Sequence, residues 1–98
     1  MQVFCNQVIS GEIQGGTTAA QFPDIPCVKV NIKALVDNAT NVYIGGEGVT
    51  VPNGSTDQTS GFTLDAGQET GWIEIDNLNR FWMITDVNGD DVTYLVLK

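Results

Sequence analysis

The chain has 98 residues, enough for one domain, because a single hydrophobic core usually organises about 100 to 150 residues. Twelve acidic residues against four basic ones give a net charge of −8, which disfavours binding to nucleic acid or to anionic lipid. The sequence contains no histidine and only two cysteines. This composition excludes a Cys/His zinc site and a histidine-dependent catalytic triad.

The N-terminal residues and the two cysteines indicate in which cellular compartment the protein is made. Residues 1–6 contain neither a basic region nor a long apolar run, so we expect no signal peptide and no membrane span. Synthesis in a reducing cytoplasm favours free thiols at Cys5 and Cys27. A disulfide between them is the alternative, since closing a loop of that length would stabilise the fold by about 3 kcal/mol in the chain-entropy model.

The chain divides into an N-terminal segment and a β domain. Residues 1–24 read as a flexible arm or an added strand, with a strand between Val3 and Ile13 and a flexible connector at 15–21. The β domain covers residues 25–98. Its clearest strand is 27–36, where apolar and polar side chains alternate with the period of two of a half-buried strand.

The middle of the chain is rich in turns. Residues 37–41 read as a turn, 42–44 as a short strand, and 48–51 as a further short strand. Residues 52–61 carry almost no apolar side chain and predict a surface loop. Phe62 and Leu64 then share one face of a strand.

The C-terminal third predicts a meander of three strands, at 70–75, 80–85 and 92–97. Asn88-Gly89 is a strong signal for a type I′ hairpin joining the last two strands. The final strand is apolar on both faces, as in a central strand or one covered by a neighbouring subunit. The fold expected is therefore all-β, a small antiparallel β-sandwich or barrel with essentially no helix.

Two acidic segments are candidates for metal binding or acid–base chemistry. Asp86, Asn88 and Asp90 occupy the first, third and fifth positions of a calcium loop, but Asp91 replaces its glycine and the closing glutamate is missing. A polar turn explains the presence of these three side chains without a metal ion. Glu74 and Asp76, two positions apart, share one face of a strand. We interpret this face as a polar sheet surface. We expect no cofactor and no enzymatic activity.

Aromatic residues predict a protein interface. Phe81 and Met83 point to one side of their strand, and Trp82 and Ile84 point to the other. One side therefore packs in the core, and we expect a partner to bury the other apolar side. A sugar-binding platform on Trp72 and Trp82 is the alternative. The expected contact residues are those of the N-terminal arm at 3–21, which include Val3 and Phe4, and those at and near Phe62, Trp72 and Trp82.

The stretch from Ile25 to Leu97 resembles a recurrent type of small bacteriophage virion protein. The similarity lies in the phrase NVYIGG at 41–46, in GFTLDAG at 61–67 and in IDNLN at 75–79. Pro26-Cys27 before the alternating strand also matches. Thr63 and Asp65 depart from the pattern, because proline often occupies these two positions in such proteins. The polar insert at 51–60 is a second departure.

That resemblance implies a β-sandwich that decorates or cements a capsid. The expected partner is the major capsid protein, bound by a homo-oligomer, a trimer, at the capsid surface after synthesis in the host cytoplasm. A tail or head-fibre accessory protein and a carbohydrate-binding module displayed on the virion are the alternatives.

Overall fold

The structure, a computed structural model that describes residues 5–52 and 61–98, contains two antiparallel sheets of four strands each. Sheet A contains, in spatial order, β1 (Val8–Gln14), β8 (Asp91–Leu97), β3 (Lys29–Ala34) and β6 (Ile73–Glu74). Sheet B contains β2 (Ala20–Gln21), β7 (Trp82–Thr85), β4 (Val42–Gly45) and β5 (Phe62–Leu64). The predicted all-β fold is confirmed, and it is a sandwich of two sheets.

The hydrophobic core lies between the two sheets. Strand β3 shows why, because its alternating Val30, Ile32 and Ala34 are all fully buried, as the period of two predicted. The opposite sheet contributes equally buried side chains from β4, β5 and β7. The remaining core residues are Phe22, Val42, Ile44, Leu64, Leu78, Met83, Val92 and Val96.

The last strand, β8, is the centre of sheet A. It pairs with β1 along residues 91–97 and with β3 along 92–97. Its inward side chains Val92 and Val96 are fully buried. The apolar character of this strand on both faces therefore reflects a central strand.

The N-terminal segment takes part in both sheets. Strand β1 forms the edge of sheet A beside β8, and β2 pairs with β7 in sheet B. Between them, Gly15 is buried and its N–H donates to the carbonyl of Asp90 at 2.8 Å. The stretch predicted as a flexible connector is thus hydrogen-bonded to the turn before β8.

The predicted hairpin at Asn88-Gly89 is wrong. Gly89 does adopt a positive φ of 94°, but β7 belongs to sheet B and β8 to sheet A, so the turn carries the chain across the core. The C-terminal meander is wrong for the same reason, since within the described residues β6 pairs with β3 and not with β7. Burial drives this crossing, because Met83 and Val92 enter the same core from opposite sheets.

Smaller differences concern the middle of the chain. Residues 48–51 form no strand, although Val49 is buried. Phe62 and Leu64 lie on one face of β5, as predicted, but only Leu64 is buried in the core and Phe62 is exposed. The predicted loop at 52–61 lies mostly outside the described residues. Across the described ranges, the short 3₁₀ turn Leu78–Arg80 is the helical element, and no helix has the length and apolarity to cross a membrane.

Candidate functional site

The solvent-facing side of sheet A carries several large apolar side chains. Val8 is 67% exposed, Trp72 49% and Leu95 37%. The register places Val8 opposite Leu97, and Leu95 between Ser10 and Asn31, so these side chains share one face of the sheet. We call this surface the outer face of sheet A. Exposed apolar residues that cluster in this way are typical of surfaces that bind a partner.

Trp72 is held on this face by Lys29. The Lys29 ammonium lies 5.6 Å from the centroid of the Trp72 ring, within the range of a cation–π contact. Lys29 points outward because its neighbour Val30 points into the core. The indole is therefore positioned for contact while nearly half of its surface remains open to solvent.

A polar groove of about 560 Å³ runs along the same face. A hydrogen bond with the Asp91 carboxyl raises the pKa of Glu12, and desolvation and the negative charge of Asp91 raise it further. Asn31 donates from Nδ2 to Glu69 Oε1 at 3.1 Å. The inaccessible Oδ1 atoms of Asn31 and Asp91 lack a hydrogen-bond donor among the described residues. Lys33 lines the groove together with Glu12 and Glu69, so the groove carries side chains of both charges.

A second, apolar groove of about 520 Å³ lies between the edge strands β5 and β6. Its walls include Ile73, Ile75 and Phe81, which pack against the core from its open side. Phe62 stands at its rim and is 63% exposed. The other residues that line it are Ile44, Gly45, Gly46, Thr70 and Arg80. We call it the β5–β6 groove.

The structure separates the predicted contact residues. Phe62 lies at the edge of sheet B and Trp72 on the outer face of sheet A, while Trp82 is half-buried on the outer side of sheet B. Val3 and Phe4 lie outside the described residues. Val8 belongs to the N-terminal arm at 3–21, whereas Leu95 is not among the predicted contact residues, although the apolar residues on both faces of the last strand are a signal for it.

The three candidate calcium ligands bind separate protein donors. Asp90 accepts hydrogen bonds from the backbone of Ala39 and Thr40 and from the Thr40 hydroxyl. Asp86 accepts one from the Tyr43 hydroxyl at 3.2 Å. Asn88 accepts one from the Thr17 N–H at 3.3 Å. These hydrogen bonds join the turn before β8 to β4 and to two other connections of the chain, which explains the polar turn in structural terms.

Both cysteines are free thiols. The Cys27 thiol donates to the carbonyl of Ile75 at 3.2 Å. Burial raises the pKa of Cys27, and the nearby carboxylate of Asp76 raises it further. Cys27 therefore acts as a small, partly buried residue that packs against the core. Its hydrogen bond links the residues before β3 to the end of β6.

Comparisons with known proteins identify no relative of this chain. No protein-family model, curated protein or solved structure matches the chain.

Proposed function

We propose that this protein is a virion structural protein of the tailed-bacteriophage type, which binds the shell of the major capsid protein and stabilises it. The observation that carries the proposal is the outer face of sheet A, where Val8, Trp72 and Leu95 are exposed on a single side of a sheet. The resemblance of residues 25–97 to small phage virion proteins supplies the kind of partner. A trimer on the capsid surface would repeat this contact many times, and multivalency would make weak single contacts sufficient.

The test uses shells that lack the protein. Added wild-type protein is expected to co-sediment with them and to raise the temperature at which they disassemble. Trp72→Ala removes the largest exposed aromatic contact and should weaken binding about tenfold, in line with loss of an aromatic anchor at an interface.

The matched control is Val36→Ala. Val36 is 71% exposed but lies in the turn after β3, against Gly67. This variant should bind and stabilise the shells like the wild type. If wild-type protein neither binds shells nor co-purifies with virions, the proposal fails, whatever the variants do.

One observation favours carbohydrate binding as a second candidate. Trp72 is exposed beside Lys29, and Asn31 and Glu69 line the polar groove on the same face. Sugar recognition combines an apolar platform with a few placed polar groups. Glycan-array binding that is lost in Trp72→Ala but kept in Phe62→Ala would support this candidate over capsid binding. A tail or head-fibre accessory role would instead appear as co-purification with tails or fibres.

A further inference from the structure

Strand β1 is the longest edge strand of the sandwich among the described residues. It has seven residues, whereas the other edge strands, β2, β5 and β6, have two, three and two. Its register with β8 runs without a bulge from Val8 to Gln14, and the strand contains no proline, lysine or arginine. Proteins commonly use such features to protect an edge, because an unpaired edge is a template for another strand. The β1 edge lacks them.

The hydrogen bonds to β8 show which backbone groups of β1 remain open. Gln7 and Lys98 exchange both of their backbone hydrogen bonds at 2.9 Å, and such pairs recur at every second residue of an antiparallel ladder. In this register the odd-numbered residues of β1 bond to β8. The N–H and C=O groups of the even-numbered residues, from Val8 to Gln14, therefore point to the open edge, where no described strand pairs with them.

The sequence of β1 is symmetric about Gly11. Ile9 and Ile13 stand two positions to either side, and both are partly buried and pack against the core. The even-numbered residues of the strand are exposed. In a two-fold contact, residue i of one copy faces residue j of the other, and j faces i. An axis at Gly11 would therefore pair all seven residues of β1 with its copy and bring Ile9 opposite Ile13.

The charge on β1 favours this register over its neighbours. Glu12 is the one charged residue of the strand, and an axis at Gly11 would place it opposite Ser10 of the second copy. An axis at Glu12 would set two carboxylates directly opposite each other, which destabilises a strand pair. An axis at Ser10 would pair Ile13 with a residue that precedes the strand.

We propose that the open edge of β1 binds the same edge of a second copy of this chain, antiparallel and centred on Gly11. The even-numbered residues exchange backbone hydrogen bonds across the axis, and the two copies of sheet A become one continuous sheet. Gly11 faces its own copy in the closely spaced, non-hydrogen-bonded position, where neither residue has a side chain. This inference goes beyond the proposed function, because it concerns two copies of the chain alone.

Sedimentation equilibrium of the purified protein, at concentrations up to about 1 mM, measures this association. We expect a monomer–dimer equilibrium that shifts toward the dimer as salt is added, because salt screens the repulsion between two chains of net charge −8. A protein that stays monomeric over this range, or that forms trimers without a dimer, overturns the proposal.

Substitutions of Ser10, which is exposed, test the edge and its register. Ser10→Glu places a carboxylate opposite Glu12 of the second copy and should weaken the dimer severalfold. Ser10→Lys places an ammonium group there and should strengthen the dimer severalfold, since the pair occurs twice in a two-fold contact. Ser10→Pro removes an N–H on the open edge and leaves the bonds to β8 in place, so it should abolish the dimer. A dimer that keeps the wild-type dissociation constant in Ser10→Glu and Ser10→Lys overturns the proposal.

The matched controls are Thr63→Glu and Thr63→Lys. Thr63 is exposed on β5, the edge strand that lies beside β6 and away from β1. These variants make the same changes in net charge, so the difference between them measures the general effect of charge on association. If the two Ser10 variants differ no more than the two Thr63 variants, the β1 edge is not the contact.

Capsid shells separate this inference from the proposed function. A protein that dimerises through β1 but ignores shells would support the edge pairing and overturn the capsid role. A protein that binds shells but stays monomeric in solution would support the capsid role and overturn the edge pairing.

Discussion

The ring of Tyr94 on β8 lies across Gly11 on the neighbouring strand β1. A Cβ built on Gly11 would be 2.6 Å from Tyr94 Cζ and closer still to the hydroxyl oxygen. The two residues are paired in the register of sheet A, on the side that faces the core. A glycine is therefore required at position 11, because a side chain there would overlap the Tyr94 ring. The ring covers the part of β1 that has no side chain of its own.

We predict that Gly11→Ala lowers the free energy of unfolding by about 1–3 kcal/mol, because an added methyl group forces a packed ring to move. Urea unfolding followed by tryptophan fluorescence measures this change. Gly48→Ala is the matched control, since a Cβ at Gly48 meets no atom within 4 Å, and it should be nearly neutral. Equal stability of the two variants would contradict the close contact between Gly11 and Tyr94.

Gly89 is needed for a different reason. A Cβ there would meet nothing within 4 Å, but the backbone has a φ of 94°, which residues with side chains rarely adopt. Gly89→Ala should therefore cost about 1–2 kcal/mol through backbone strain alone. The same urea titration tests it against Gly48→Ala. A free energy of unfolding equal to that of the wild type would count against the positive φ at this turn.

Asp90 joins the turn before β8 to the connection between β3 and β4. Its carboxylate is 4% exposed and accepts hydrogen bonds from Ala39 and Thr40. Asp90→Asn should lower the free energy of unfolding by about 1–3 kcal/mol at neutral pH, because these donors lose a charged acceptor. Asp37→Asn, at an exposed turn position, should change it little, and an equal loss in both variants would argue against a special role for Asp90.

The same carboxylate should make stability depend on pH. Desolvation raises the pKa of Asp90, but the hydrogen bonds from Thr40 and Ala39 outweigh it, so the pKa lies below its usual value. Because the folded pKa is lowered, the stabilisation is complete above the unfolded pKa of about 3.9 and is lost as pH falls through the folded pKa. The difference in stability between wild type and Asp90→Asn should therefore shrink in acid. A difference that stays constant from neutral pH to pH about 2 would refute the lowered pKa.

Cys27 should react slowly with alkylating reagents at neutral pH. The thiolate is the reactive form, and burial together with Asp76 raises the pKa of this thiol. In a Cys5→Ser background, mass spectrometry should show severalfold slower modification by iodoacetamide in the folded protein than in urea, as expected for a protonated and partly shielded thiol. Equal rates in the two states would mean that Cys27 is not protected in the fold.

Local patterns were enough to predict strands and their buried faces. The alternation around Val30 and Ile32 identifies β3 and its inward side, because a strand places successive side chains on opposite faces whatever sheet it joins. The positive φ of Gly89 is likewise a local property that a turn signal can indicate. The all-β class follows from such patterns repeated along the chain.

The tertiary structure decided which strands pair and which surfaces remain open. Met83 and Val92 lie nine positions apart in the printed sequence, yet they enter the core from opposite sheets, a choice set by packing that no local signal contains. Trp72 and Leu95 share the outer face of sheet A only because β3 pairs on one side with β8, which carries Leu95, and on the other with β6, which follows Trp72. The β5–β6 groove also exists only in the folded chain, because these two strands, consecutive along the sequence, join opposite sheets and leave a gap between them.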